Sequence, residues 1–146
     1  MDTENSKRLT IEEALAAHGV CILNTTGVSM RPLLVQNDAV TLKPVDTKIK
    51  KYDVLLYTDG AGRYILHRVV KIKGDTLIIR GDNTFIKEYV PTARVIARMV
   101  AYNSKGRHHT VEERGYRLYS RFWSFIYPVR LLLRKVKNLF GRLKRK

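Results

Sequence analysis

Three short segments of the chain contain the residue types of nucleophilic catalysis: a hydroxyl, an imidazole and a carboxylate. Ser29 lies in Gly-Val-Ser-Met-Arg-Pro, His67 in Tyr-Ile-Leu-His-Arg-Val-Val, and Asp82 in Arg-Gly-Asp-Asn. A serine hydroxyl is a weak nucleophile until a neighbouring base takes its proton, so a serine, a histidine and an acid held together would suit acyl transfer. Each segment taken alone also fits a structural role, as a loop, a strand and a turn respectively.

In their order and spacing, these segments resemble the type I signal peptidases. The serine block of that family, Ser-Met-x-Pro, matches residues 29–32. The base block His-Arg-Val of its endoplasmic-reticulum and archaeal-like branch matches residues 67–69. The closing Gly-Asp-Asn matches residues 81–83 without change, and a looser Asp-Val match lies at residues 53–54. The resemblance covers residues 24–100.

The resemblance implies a serine endopeptidase that works without a cofactor or a metal ion. Ser29 would attack the scissile carbonyl, and His67 would accept the serine proton and return it to the leaving amine. A neutral imidazole suits this role because the unperturbed pKa of histidine is about 6.5. The backbone N–H of Ser29 would stabilise the oxyanion, and Met30 and Pro32 would contact the substrate. Met30 fits equally well as a side chain of the hydrophobic core.

Two acidic residues are candidates to orient the imidazole and to stabilise its protonated form. Asp82 belongs to the Gly-Asp-Asn motif itself, and we favour it for that reason. Glu88 is the alternative, because the histidine branch of the family also has an acid a few residues beyond that turn, which is where Glu88 stands. The sequence alone leaves the choice between the two carboxylates open.

The elements that would position these residues are short strands. Between residues 20 and 102, β-branched and aromatic runs alternate with turn signals rich in Gly, Asp and Asn. This pattern predicts a mainly β chain with a small antiparallel, barrel-like fold, the fold that signal peptidases share with LexA-type repressors. Thr10 and Glu13 fit a capping box, which predicts a short N-terminal helix over residues 10–18 that ends at Gly19.

These signals divide the chain into four segments. Residues 1–19 form an N-terminal segment with the short helix, and residues 20–102 form the β peptidase domain. Residues 103–113 are polar and predict a linker, and residues 114–146 predict a basic amphipathic helical tail. The first eight residues are polar and predict a frayed start without a signal peptide.

The charge of the chain is concentrated in this tail. The 146 residues include 28 Lys+Arg and 13 Asp+Glu, a formal net charge of +15, and residues 114–146 hold 11 of the basic residues and none of the acidic ones. Such a segment favours an anionic membrane surface or nucleic acid as a partner. An apolar content of 45% excludes a disordered polycation, and the single cysteine, Cys21, excludes a disulfide framework and a cysteine-based zinc site.

Apolar side chains recur every three or four residues along the tail, which predicts a helix with one apolar face. The members of this face are Tyr119, Phe122, Ile126, Val129, Leu133, Val136, Phe140 and Leu143. Pro128 should kink or split the helix. We expect the helix to lie on an anionic membrane, which would make the protein peripheral at the cytoplasmic membrane. Packing of the face against the β domain and a tilted spanning hairpin are the alternatives.

The sequence therefore predicts a serine endopeptidase of signal-peptidase type that cleaves a precursor or leader peptide near a membrane. Its substrate would be an extended peptide bound by strand addition. The alternatives are a non-catalytic membrane-binding module on the same fold and a basic nucleic-acid-binding protein. Nucleic acid is the less favoured partner because no base-reading module is visible. The sequence identifies no partner protein at the membrane.

Overall fold

A computed structural model describes residues 9–144 of the chain; the predicted frayed start at residues 1–8 lies outside the described residues. Helix α1, Ile11–His18, has both of the ends that the sequence predicts. The Thr10 hydroxyl accepts a hydrogen bond from the Glu13 N–H, and the Glu13 carboxylate accepts one from the Thr10 N–H, which completes the capping box. Gly19 ends the helix with φ 67°, a left-handed conformation that glycine adopts without strain.

Eight antiparallel strands, numbered β1 to β8 in chain order, form one sheet. They are Cys21–Asn24, Ala39–Lys43, Val54–Thr58, Tyr64–Lys73, Thr76–Arg80, Glu88–Pro91, Val95–Ser104 and Arg107–Thr110. Neighbouring strands follow the order β1-β2-β7-β3-β4-β5-β6, and β8 pairs with β7. The sheet curls into a half-barrel, which confirms the predicted mainly β, antiparallel, barrel-like class.

Most of the segment predicted as a linker, residues 103–113, is instead part of the sheet, since β8 ends only at Thr110. β7 continues to Ser104, and β8 returns antiparallel to it with Arg107 opposite Ser104. The two residues between the strands, Lys105 and Gly106, have φ values of 51° and 72°. A two-residue loop with both φ values positive is the hairpin turn whose twist matches that of the flanking strands. The hairpin was not predicted because β8 consists of polar residues and lacks the apolar alternation on which the strand prediction was based.

Two clusters of buried side chains form the core. Leu55 of β3 belongs to one cluster and Leu56 to the other, because successive side chains of a strand point to opposite faces of the sheet. β3 is therefore covered on both faces, in the middle of the sheet. The larger cluster also includes Met30 from the serine loop and Tyr116 from the C-terminal segment, so both of these regions are built on the core.

Two helices follow the sheet: α2, Arg114–Phe125, and α3, Tyr127–Leu143. The break at Ile126 confirms the predicted split, because Pro128 stands at the start of α3, where its missing N–H costs no helical hydrogen bond. Tyr116 and Ser120 of α2 are buried against the β domain. The first two turns of the tail are thus part of the folded domain.

The apolar face of these helices differs in membership from the predicted one. Tyr119 turns toward the β domain, whereas the exposed apolar side chains form a stripe along the opposite side of both helices. The members of this outer face are Leu118, Phe122, Phe125, Val129, Leu132, Leu133, Val136, Leu139, Phe140 and Leu143. Packing on the β domain and an unpartnered apolar face therefore coexist on different sides of the same helices. None of the helices in the described part of the chain is both long and apolar enough to cross a bilayer.

Candidate active site

Ser29 and His67 meet at Gly81, the first residue of the Gly-Asp-Asn turn. A methyl group placed on Gly81 would lie 2.6 Å from the Ser29 carbonyl oxygen and 2.9 Å from Nε2 of His67. Both contacts are too short for a real side chain, so only glycine allows the three segments to approach this closely. The Ser-Met-x-Pro, His-Arg-Val and Gly-Asp-Asn blocks, far apart in the sequence, are therefore in contact in the fold.

One cavity of about 460 Å³ contains both of the candidate catalytic side chains. Ser29 and Met30 line it from the loop after β1, and His67 lines it from β4, where it stands opposite Leu55 of β3. Ser29 is partly exposed, and the His67 side chain is 12% exposed. Both side chains are thus partly accessible from the cavity.

Glu88, from β6, holds the other side of the imidazole ring. Its carboxylate accepts a hydrogen bond from Nδ1 of His67 over 2.9 Å, which places the proton on Nδ1 and leaves Nε2, on the Gly81 side of the ring, with a free lone pair. The Tyr57 hydroxyl donates to the same carboxylate oxygen and lies 3.3 Å from Nδ1. A base with this tautomer and orientation can take a proton from a serine hydroxyl.

The Tyr57 hydroxyl stays protonated, and therefore a donor, at pH values where an exposed tyrosine ionises, because its pKa is raised. Burial raises the pKa of its phenol well above the ordinary value, and the hydrogen bond and negative charge of Glu88 raise it further. Tyr57 was missed in the sequence analysis. The signal that could have found it is a single hydroxyl in the apolar strand Val-Leu-Leu-Tyr, because a buried tyrosine normally needs a hydrogen-bond partner.

The preference for Asp82 as the residue that orients His67 is not supported by the geometry. The Asp82 carboxylate instead forms two hydrogen bonds of 2.8 Å with the guanidinium of Arg68, and it accepts a third from the Tyr119 hydroxyl. Arg68 and Asp82 are almost completely buried, with side-chain exposures of 1% and 3%. Because a buried guanidinium needs a countercharge, this pairing occupies Asp82 fully. Of the two candidates, Glu88 is the one in contact with His67.

The loop that carries Ser29 is fixed by Asn83, the last residue of the same turn. The Asn83 N–H donates to the Ser29 carbonyl oxygen over 2.8 Å, and its side-chain amide donates to the Val28 carbonyl oxygen over 3.1 Å. Within residues 9–144, the hydrogen bonds of the protein use neither the Ser29 N–H nor the Ser29 hydroxyl. Both groups are thus available to a substrate, and the hydroxyl is not hydrogen-bonded to Nε2 in this unliganded arrangement.

The two residues predicted to contact the substrate lie in different places. Met30 lines the cavity beside Ser29 and is at the same time 5% exposed within the core, so its two predicted roles are compatible. Pro32 does not line this cavity. It lines a second, more open one between the serine loop, β8 and α2. Substrate contact by Pro32 stays a prediction, and the structure shows only that Pro32 and Ser29 line different cavities.

The C-terminal helices reach the turn behind the site, which the sequence analysis did not anticipate. Trp123 and Arg130 both donate hydrogen bonds of 2.8 Å to the Asp82 carbonyl oxygen. The signal was present in the polar and aromatic residues that recur on the inner face of α2 at helical spacing. They are Tyr116, Tyr119, Ser120 and Trp123.

No protein-family model matches this chain, and neither does any curated protein. The resemblance to type I signal peptidases therefore stays an interpretation of the motifs. The remaining indication of a function is the arrangement of the side chains around Ser29 and His67.

Proposed function

We propose that this protein is a serine endopeptidase of signal-peptidase type, with Ser29 as nucleophile and His67 as general base. One observation carries the proposal: Glu88 holds Nδ1 of His67, while Nε2 on the far side of the ring lies against Gly81, the residue that the Ser29 carbonyl oxygen also approaches. A general base needs one nitrogen fixed by an acid and the other left free beside the nucleophile. Glu88 supplies the first condition, and the shared cavity of Ser29 and His67 supports the second.

The reaction follows from these positions. Ser29 Oγ attacks the carbonyl carbon of the scissile amide as its proton passes to Nε2 of His67. The negative charge that develops on the carbonyl oxygen is stabilised by the Ser29 N–H, and the imidazolium by the Glu88 carboxylate. Nε2 then gives its proton to the leaving amine, and an acyl-serine forms. Water, deprotonated by the same nitrogen, releases the acyl group and restores the serine.

The cavity is bordered by two strand edges to which an extended peptide can add. β1 pairs only with β2, so its outer edge has no partner strand in the described part of the chain. β4 pairs with β5 only from Arg68 onward, and no strand among residues 9–144 covers the corresponding edge of Tyr64–His67. Residues of both edges line the cavity. A substrate bound as an added strand would thus pass directly by His67.

The outer face of α2 and α3 supports action at a membrane. Phe125 and Leu132 are 80% and 61% exposed on this face, and the residues around it include Arg121, Lys135 and Lys137, with no acidic residue in 114–146. A single apolar residue on a surface needs no partner, but a continuous stripe flanked by cations fits an anionic lipid surface. We propose that the protein lies peripherally on such a membrane through this face.

A cleavage assay tests the catalytic proposal. Precursor proteins with apolar leaders are incubated with wild type, Ser29→Ala, His67→Ala and the control His108→Ala, in vesicles that contain phosphatidylglycerol. We expect Ser29→Ala and His67→Ala to lose about 10³-fold or more in rate, and His108→Ala, which replaces an exposed histidine of β8, to keep it. Equal cleavage by all four proteins would exclude the Ser-His pair.

A separate assay tests the membrane proposal without removing buried residues. Deletion of the whole tail would also remove Tyr116 and Ser120 from the core, so the double variant Phe125→Ser, Leu132→Ser is used instead. Loss of two apolar anchors should weaken binding to anionic vesicles by about 100-fold. Tyr89→Ser, an exposed aromatic on β6, is the control. Vesicle binding without cleavage by the wild type would favour the non-catalytic module. Salt-sensitive binding to duplex DNA alone would favour the nucleic-acid alternative.

A further inference from the structure

A single peptide group joins the C-terminal helices to the residue proposed as nucleophile. The carbonyl of this group belongs to Asp82 and accepts hydrogen bonds from Nε1 of Trp123 and from the guanidinium of Arg130, each over 2.8 Å. The N–H of the same group belongs to Asn83 and donates to the Ser29 carbonyl oxygen over 2.8 Å. The peptide plane is thus held from one side by α2 and α3, and from the other it holds the serine loop.

Further contacts fix the two donors in place. The Arg130 guanidinium stacks on the Trp123 ring at 4.0 Å, so the two donors support each other. Tyr119, one helical turn before Trp123, stacks on its ring and donates to the Asp82 carboxylate. Stacked guanidinium and aromatic groups are stiff, which makes these donors well defined in direction.

The hydrogen bonds from Trp123 and Arg130 orient the Asn83 N–H toward the Ser29 carbonyl oxygen and also strengthen its hydrogen bond to that oxygen. Two donors on a carbonyl oxygen, one of them charged, polarise the peptide group, and its N–H becomes a better donor as a result. Ser29 itself is hydrogen-bonded only through its carbonyl oxygen within residues 9–144, because the hydrogen bonds there use neither its N–H nor its hydroxyl. The Asn83 N–H is therefore a principal restraint on the nucleophile.

We propose that Trp123 and Arg130 are positioning residues, which orient the peptide group between Asp82 and Asn83 and through it Ser29. The kinetic part of this inference rests on the proposed function. In this proposal α2 and α3 have two roles. Residues on their inner face position the serine loop, and their outer face carries the exposed apolar side chains. The helices that would meet the lipid are the helices that complete the active site.

The test combines a structural and a kinetic measurement on the full chain, without lipid and with a soluble peptide substrate. The variant Trp123→Phe, Arg130→Met removes both donors and keeps an aromatic ring. The control Tyr127→Phe also removes one hydrogen bond from the tail, but that bond ends on the Phe85 carbonyl and does not reach the peptide group. Amide hydrogen exchange of Asn83 is measured by NMR, and kcat and KM are measured separately.

We expect the double variant to exchange the Asn83 amide about 10-fold faster and to lose about 10-fold in kcat at an unchanged KM, since the serine is displaced but the groove is intact. Arg130→Lys, which keeps a charged donor, should recover part of both losses, and the control should change neither. Unchanged Asn83 exchange overturns the inference, and so does a kcat that stays at the wild-type value. A wild type that cleaves no peptide defeats the proposed function instead, while the exchange measurement still decides whether the helices restrain the serine loop.

Discussion

Glu88 and His67 lie on strands that do not pair with each other, yet their side chains meet at 2.9 Å. β5 stands between them: Ile79 of β5 is opposite Val69 of β4 on one side and opposite Glu88 of β6 on the other. The carboxylate therefore reaches the imidazole across the width of one strand, at the point where the β4–β5 pairing has just ended. This contact makes Glu88 the acid of the proposed reaction.

The first prediction concerns this acid. Glu88→Gln should lower kcat/KM by about 100-fold or more, because the neutral amide neither stabilises the imidazolium nor selects the Nδ1–H tautomer. The fold should be retained, since Glu88 is partly exposed, with a side-chain exposure of 34%. Steady-state kinetics together with far-ultraviolet circular dichroism check both parts. Glu112→Gln, which neutralises an exposed acid outside the site, is the control, and equal activity of the two variants would remove Glu88 from the mechanism.

The second prediction assigns Asp82 to stability. Asp82→Asn should lower the free energy of unfolding by about 3–5 kcal/mol, because it leaves the buried Arg68 guanidinium without its countercharge. Urea denaturation gives this value directly. Asp59→Asn breaks an ion pair with Arg63, whose side chain is 78% exposed, and should cost far less. A destabilisation of Asp82→Asn no larger than that of Asp59→Asn would contradict a structural role for the buried pair.

The third prediction concerns the close approach at Gly81. Gly81→Ala would place a methyl group 2.6 Å from the Ser29 carbonyl oxygen and 2.9 Å from Nε2 of His67, and both segments must move to admit it. We expect a loss of about 10-fold or more in kcat/KM. Gly60→Ala is the matched control, since a methyl group there meets no atom within 4 Å. Full activity of Gly81→Ala would show that the proposed pair does not need this spacing.

The fourth prediction is loss of stability in alkali. Burial raises the pKa of Tyr57 and Tyr102 in the folded chain, and negative or phenolic neighbours raise it further. Above about pH 10 the unfolded chain therefore binds fewer protons than the folded one, so the free energy of unfolding falls as pH rises. Each buried tyrosine contributes at most about 1.4 kcal/mol per pH unit.

Tyr57→Phe should reduce this alkaline slope, because phenylalanine does not titrate. Denaturant unfolding between pH 8 and pH 11.5 measures the slope for both proteins. Tyr89→Phe, which removes an exposed phenol of β6, serves as the control and should leave the slope close to that of the wild type. An alkaline slope that is identical for Tyr57→Phe and wild type would mean that Tyr57 ionises as easily in the folded chain as in the unfolded one.

The sequence was informative where structure is set by neighbours along the chain. Helix α1 and the predicted strands have local signals, such as the capping box of Thr10 and Glu13 and the turn residues between strands. Which of Asp82 and Glu88 contacts His67 is not set by neighbours along the chain. It depends on β6, a strand of four residues that ends in Pro91 and has no apolar alternation, and on its register with β5.

The role of the tail shows the same limit. Helical spacing predicted an apolar face, but periodicity alone does not say which side meets the protein when both sides carry large side chains. Tyr119 and Phe122 are three residues apart, and one packs toward Asp82 while the other is 59% exposed. The side of α2 that packs on the protein is the side that contacts the buried Arg68, whose guanidinium donates hydrogen bonds to the hydroxyls of Tyr116 and Ser120.

The unpaired edges of β1 and of Tyr64–His67 have a consequence for what the protein can recognise. A helical segment has already used its backbone N–H and C=O groups internally and has none to offer to a strand edge. A leader peptide would thus be read only where its helix has ended and its backbone is extended. If the proposed endopeptidase activity holds, the backbone conformation of a substrate would be selected before its side chains, and cleavage would occur beyond the end of a helix.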